Sequence, residues 1–187
     1  MPVRALLAAV SLVTLAACEA DATKPPVPTA PSAQQTWMCG REFSNHAWGY
    51  QRHGVVLDMM GNIWRYDFKR ASGATPWNPN DMAHLTEADL KMRYDGAVVV
   101  PGRQVPAPEI EKVFPLVGDA ARVKPTEPAP HGADMGQTVT YCYTYDAGTH
   151  SYAQVLLDNR GDVDSTNPSQ AAVNLRSWLN GWFGDGL

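Results

Sequence analysis

Between Gln137 and Asp146 the chain reads QTVTYCYTYD, and the strict two-residue alternation of this run constrains the fold more than any other segment. Successive side chains of a strand point to opposite faces. Val139, Tyr141, Tyr143 and Tyr145 therefore share one face, and Thr138, Thr140, Cys142 and Thr144 the other. A second apolar run, SYAQVLLD, follows the turn-forming Asp146-Ala147-Gly148-Thr149, so residues 137–158 read as a β-hairpin.

Residues 54–69, GVVLDMMGNIWRYDFK, predict another hairpin, with its turn at Met60-Gly61-Asn62, where Gly and Asn tolerate positive φ. The two regions share a short echo. Val55-Val56-Leu57-Asp58 and Val155-Leu156-Leu157-Asp158 are each followed three residues later by glycine and then Asn or Asp. The echo reads either as a duplicated hairpin unit or as two strand ends using the same turn chemistry, and the second reading needs less.

Helical signals are fewer. Thr86 is placed to cap a short helix through Tyr94, with Asp89 at the capping-box position. Ile110, Val113, Phe114 and Val117 recur at helical spacing between Pro108 and Ala121, although Pro115 is expected to break or kink that helix. Near the C-terminus, Asn167 is expected to cap and Pro168 to start a helix whose apolar stripe is Ala171, Leu175, Trp178, Leu179 and Trp182. The fold class that follows is α+β. A single domain over residues 37–187 builds an antiparallel sheet from hairpins, the amphipathic C-terminal helix covers one face, and long loops take up many of the 15 prolines and 15 glycines.

The N-terminus has a different character. Arg4, an apolar run from Ala5 to Leu15 and small residues before Cys18 have the layout of an export signal. The run is short of the roughly 20 apolar residues that span a bilayer. Leu15-Ala16-Ala17-Cys18 resembles the lipobox of bacterial lipoproteins, and the resemblance covers residues 1–18 alone. It implies that residues 1–17 are a signal peptide and that Cys18 becomes the first residue, with a diacylglyceryl group on its sulfur. Because two or more acyl chains anchor a protein stably, it also implies lasting attachment to a membrane. Glu19 follows in place of the aspartate that commonly favours inner-membrane retention in this class, which leans toward the outer membrane. The expected location is the bacterial envelope, facing the periplasm or the exterior.

With Cys18 assigned to lipid by that resemblance, Cys39 and Cys142 are the remaining pair. In an oxidising compartment they are expected to join, on the threonine face of the 137–146 strand. Residues 18–36 carry Pro25, Pro26, Pro28 and Pro31 and too little apolar surface to fold, so they read as a tether reaching roughly 55 Å when extended.

Fifteen Lys and Arg against nineteen Asp and Glu make the chain weakly acidic, at −4. That balance offers nucleic acid no basic footprint. It gives anionic headgroups none either, so covalent lipid must hold the chain to a membrane. No Gly-x-Ser-x-Gly elbow, zincin helix, phosphate loop or dinucleotide fingerprint occurs. Asp158-Asn159-Arg160-Gly161-Asp162-Val163-Asp164 has alternate acids, but arginine at its third position, glycine at its fourth and the lack of a closing glutamate argue against a calcium loop, and the embedded Arg160-Gly161-Asp162 reads as a hairpin tip. No metal and no cofactor are expected.

The segment NHAWGYQRH, residues 45–53, is the most unusual in composition. If extended, it places His46, Trp48 and Tyr50 on one face, and with His53 these form a candidate binding patch for a sugar ring or a protein. The function expected is a non-catalytic envelope lipoprotein that binds a protein or glycan. The alternatives are a cell-wall or small-molecule hydrolase drawing on His46, His53 or His150, and an inhibitor or immunity protein of an envelope enzyme.

Overall fold

A computed structural model describes residues 34–47, 49–69 and 81–184. The expected signal peptide, Cys18, most of the expected tether and Trp48 lie outside the described residues. The protein is α+β, with eight antiparallel strands and three helices among the described residues. The strands are β1 (Trp37–Asn45), β2 (Gln51–Asp58), β3 (Asn62–Lys69), β4 (Val98–Gln104), β5 (Ala129–Pro130), β6 (Gln137–Asp146), β7 (Ser151–Gly161) and β8 (Val163–Thr166), and the helices are α1 (Glu87–Arg93), α2 (Ala107–Ala121) and α3 (Gln170–Phe183). The strand order is β4-β3-β2-β1-β6-β7-β8-β5. Two three-stranded meanders, β1–β2–β3 and β6–β7–β8, thus lie back to back across the β1/β6 seam. The sequence echo falls on their equivalent turns, and Gly61 and Gly161 both have positive φ.

The central seam carries the disulfide. Cys39 and Cys142 are register partners on β1 and β6 and are bonded, closing a sequence separation of 103. A loop of that size stabilises by at most about 4.7 kcal/mol through chain entropy. The sulfurs sit on the threonine face, under α2 and α3. Val55, Leu57, Val155 and Leu157 from the sheet meet Ile110, Phe114 and Val117 from α2 and Leu175, Leu179 and Phe183 from α3 in one apolar cluster.

Two helix expectations change. Pro115 lies inside α2 without ending it. An interior proline costs about 3 kcal/mol, but Ile110, Val113, Phe114 and Val117 are buried along the helix, at roughly 1.5–3 kcal/mol each. Helix α3 is capped by Ser169, which accepts from Ala172 N–H, rather than by Asn167. Asn167 is buried between helices instead: its amide donates to Ala120 and Val123 carbonyls and its Oδ1 accepts from Ser169 N–H. The fully buried stripe of α3 is Ala172, Leu175, Leu179 and Phe183. Trp178 and Trp182 flank it half-buried, each donating its indole N–H to Glu109 at 3.2 Å.

The opposite face is aromatic. Tyr141, Tyr143 and Tyr145 pack with Trp37, Val56, Tyr66, Tyr152 and, above them, Leu85, Leu90 and Tyr94. The predicted capping box forms: Thr86 Oγ1 accepts from Asp89 N–H, and the Asp89 carboxylate accepts from Thr86 N–H at 2.7 Å. Leu85 pairs with Tyr152 through two backbone hydrogen bonds, which straps α1 over this face. Gln35 is buried here too, donating to the Trp37 and Tyr143 carbonyls. Among the described residues no helix is long and apolar enough to cross a membrane.

Candidate functional site

Each face of the sheet carries a cluster of arginines, and the two differ in what surrounds them. On the tyrosine face Arg93 and Arg52 are 2% and 4% exposed, against Glu42 at 7%. Arg93 grips both Glu42 oxygens, at 3.3 and 3.2 Å, and its Nη1 donates to Tyr143 Oη and Gln154 Oε1 at 2.7 Å each. Its guanidinium lies 4.2 Å from the Tyr141 ring centroid. Tyr66 donates to Glu42 at 2.7 Å, and Arg52 donates to the Arg93 carbonyl at 2.5 Å. Burial opposes ionisation of Glu42, but the Arg93 and Arg52 charges, with hydrogen bonds from Arg93 and Tyr66, outweigh it and hold its pKa below the usual carboxylate value. Burial pushes the Tyr66, Tyr94 and Tyr143 phenols well above theirs.

Glycines make room for this network. A Cβ on Gly40 would stand 2.6 Å from Tyr141 Oη, and one on Gly54 would stand 2.7 Å from Tyr66 Oη. Each glycine is the register partner of the tyrosine it faces, so the rings lie back across the neighbouring strand toward Glu42. None of the described clefts is lined by these residues. The network holds the fold.

On the other face the second cluster lines a cleft of about 330 Å³ beside α3. Arg41 rises from β1, Arg160 from β7 and Arg176 from α3, around Thr138, Thr140 and Asp158. Arg41 donates to Asn180 and, at 3.3 Å, to the Gly184 carbonyl, which ties β1 to the end of α3. Arg176 donates to the Leu157 carbonyl at 2.7 Å and lies 3.6 Å from Asp158. Arg160 reaches Asp158 at 3.1 Å and Asp164 at 3.7 Å. A hydrogen bond and ion pair with Asp158 hold Arg160 even more firmly in its charged form. Asp158 also accepts from Thr166 at 2.7 Å.

A β-bulge builds this site. Val155 and Leu157 face the apolar core, so simple alternation would send Asn159 after them and turn Asp158 and Arg160 to the tyrosine side. The β6/β7 register instead shifts between Thr140 and Tyr141, pairing Thr140 with Asp158 and Thr138 with Arg160. A bulge commonly re-aims side chains in this way. The threonine alternation is readable in sequence, but Arg160 reads there as part of an Arg-Gly-Asp hairpin tip and Asp158 as a strand end, and Arg41 and Arg176 give no local signal.

The expected patch is only partly assembled. His46, Ala47, Gly49 and Tyr50 lie between β1 and β2 rather than in a strand: Asn45 Oδ1 accepts from Ala47 N–H, and Gly49 takes φ +93°. His46 and Tyr50 still meet, with ring centroids 4.8 Å apart, and Tyr50 touches Phe68 at 5.9 Å. His53 packs on Phe43 at 5.0 Å instead. Trp48 lies outside the described residues. His46 lines a second cleft of about 300 Å³ with Asn45, Asp134, Gln137 and Asp162. His150 contacts the Tyr145 phenol at 3.2 Å. Among the described residues no three His, Cys, Asp or Glu side chains are grouped to hold a metal ion. Comparison of the chain with protein families, with curated proteins and with solved structures found no match.

Proposed function

We propose that this chain is a non-catalytic binding module of the bacterial envelope, anchored through lipid on Cys18 and held off the membrane by residues 19–36, whose body captures a protein or glycan. One observation carries the reading. The larger described cleft is lined by guanidinium, hydroxyl and amide donors around a carboxylate already engaged by Arg160 and Thr166, a set suited to holding a ligand rather than to activating a nucleophile. The histidines that a hydrolase would draw on have separate surroundings: His46 beside Tyr50, His53 on Phe43 and His150 at Tyr145.

Mass spectrometry of the mature N-terminus tests the anchor, with a diacylglyceryl-modified Cys18 expected and an unmodified cysteine or a different start refuting it. Crosslinked envelope extract tests the binding role. The wild-type chain should retain a reproducible protein or glycan that Cys18→Ala, released from the membrane, retains less well. Turnover of cell-wall fragments without any retained partner would replace this reading with the hydrolase, for which the favourable feature is that His46, Asp134 and Asp162 line the same smaller cleft.

A further inference from the structure

The arginine cleft has a specific chemistry, and its neighbourhood extends it. Three guanidiniums converge on a cleft whose lining includes a single carboxylate, in a protein that is acidic overall. Guanidiniums recognise planar oxyanions through paired N–H donors, so the ligand group that fits is an anion. Asp158 engages Arg160 and Arg176, and Asp164 lies 3.7 Å from Arg160, so the three guanidiniums exceed the carboxylates facing them by one positive charge, which a monoanion neutralises and a dianion overshoots. A carboxylate is therefore favoured over a phosphate.

The rest of the lining is uncharged and hydroxyl- or amide-bearing: Thr138, Thr140 and Asn180. Beside it, Phe43 is the register partner of Thr138, as Arg41 is of Thr140, so Phe43 shares the cleft's face of the sheet. Its ring is half-buried, flanked by His53 at 5.0 Å. Donors for a carboxylate, partners for hydroxyls and an adjacent ring face are what an acidic sugar offers surfaces to: charge, hydroxyls and an apolar ring side.

We infer that the cleft bounded by Arg41, Arg160 and Arg176 is the binding site for a carboxylated sugar of an acidic glycan, with Phe43 as the stacking surface. This rests on the reading of the chain as a binding module and names the ligand class of its cleft. The backbone bulge that sets Asp158 and Arg160 into the cleft is thus part of the recognition device.

The test is a titration of the full chain with tetragalacturonate, its neutral methyl ester, inorganic phosphate and an Asp/Glu tetrapeptide, followed calorimetrically and through arginine side-chain NMR signals. The acid should bind at least tenfold tighter than the ester, move the signals of Arg41, Arg160 and Arg176, and weaken steeply with salt. Arg160→Gln, on a side chain 60% exposed, should weaken binding at least fivefold without altering the fold. Arg160→Lys should recover only part of that loss, and Phe43→Ala should weaken the sugar while leaving any residual peptide binding unchanged. Equal affinity for the ester, for phosphate or for the peptide would overturn the assignment, as would the absence of any signal from the cleft. If that absence comes with a protein or neutral glycan retained from envelope extract, the assignment falls and the binding module stands. If nothing is retained and wall fragments are turned over, both fall.

Discussion

The two arginine clusters lie on opposite faces of one sheet and show how surroundings decide what a charged residue is for. Arg93 and Arg52 are sealed among phenols over a single carboxylate, and their partners come from β1, β3, β6, β7 and α1. A buried charge held this way is costly to leave alone and strongly dependent on its partner. Arg160 and Arg176, with side chains 60% and 23% exposed, share Asp158 at the edge of a cleft. A pair made by an exposed side chain such as Arg160 contributes about 0–1 kcal/mol to stability, so that side chain is free to serve a ligand. The tyrosine face holds the fold together, and the threonine face divides its area between an apolar core under two helices and a polar cleft at their edge.

The contrast yields a graded set of outcomes. The largest belongs to alkaline pH. Burial raises the pKa of Tyr66, Tyr94, Tyr141 and Tyr143, and that of Tyr152 to about 12. A raised acid contributes stability that is complete below its unfolded value near 10 and is lost as pH rises above it. Unfolding free energy measured in urea should fall above pH 10 by up to about 1.4 kcal/mol per phenol per pH unit, and a flat profile to pH 11 would remove the buried-phenol account.

Next comes Arg93→Ala, which leaves buried Glu42 with Arg52 as its remaining cation and takes the Arg93 donor from Tyr143 and Gln154, and is expected to destabilise by about 3–5 kcal/mol in chemical denaturation. The same pair sets the acid limb. Because the Glu42 pKa is depressed, its contribution is present above about pH 4.5 and declines as pH falls through its lower folded value, so Glu42→Gln should flatten that decline.

Replacing Cys39 and Cys142 together by alanine should cost about 2–4 kcal/mol, read as a lower denaturation midpoint without loss of secondary structure. The smallest stability effect should be that of Arg160→Gln, within about 0.5 kcal/mol. If Arg160→Gln destabilised the protein as much as Arg93→Ala, the division of the faces into structure and recognition would fail.

Much of this architecture was legible in the chain, for reasons that differ by element. The 137–146 strand announced itself because alternation is a local property that needs no partner to be seen. The hairpin at Gly61 did so because its turn residues carry the conformational requirement themselves. Pro115 misled because its local penalty is real but smaller than the burial of α2 against the core. Asn167 misled because a capping residue type also suits an inter-helix bridge, and only the position of α2 reveals which role it takes. For the candidate site, the sequence pattern groups His46 and Tyr50 on an extended strand that does not form, and the arginine cleft has no sequence signal, since its members come from β1, β7 and α3 and meet only across elements.

Sequence alone thus determined the α+β class, the two hairpins and the C-terminal helix, because periodicity, turn chemistry and residue type act over a few positions. Tertiary structure decided the back-to-back order of the meanders, the closing of tyrosines over Gly40 and Gly54, and the bulge that turns Asp158 and Arg160 toward α3. The physical reason is that register is a property of two strands at once. A one-residue shift exchanges every side chain beyond it between the faces, and no single strand records that it has happened.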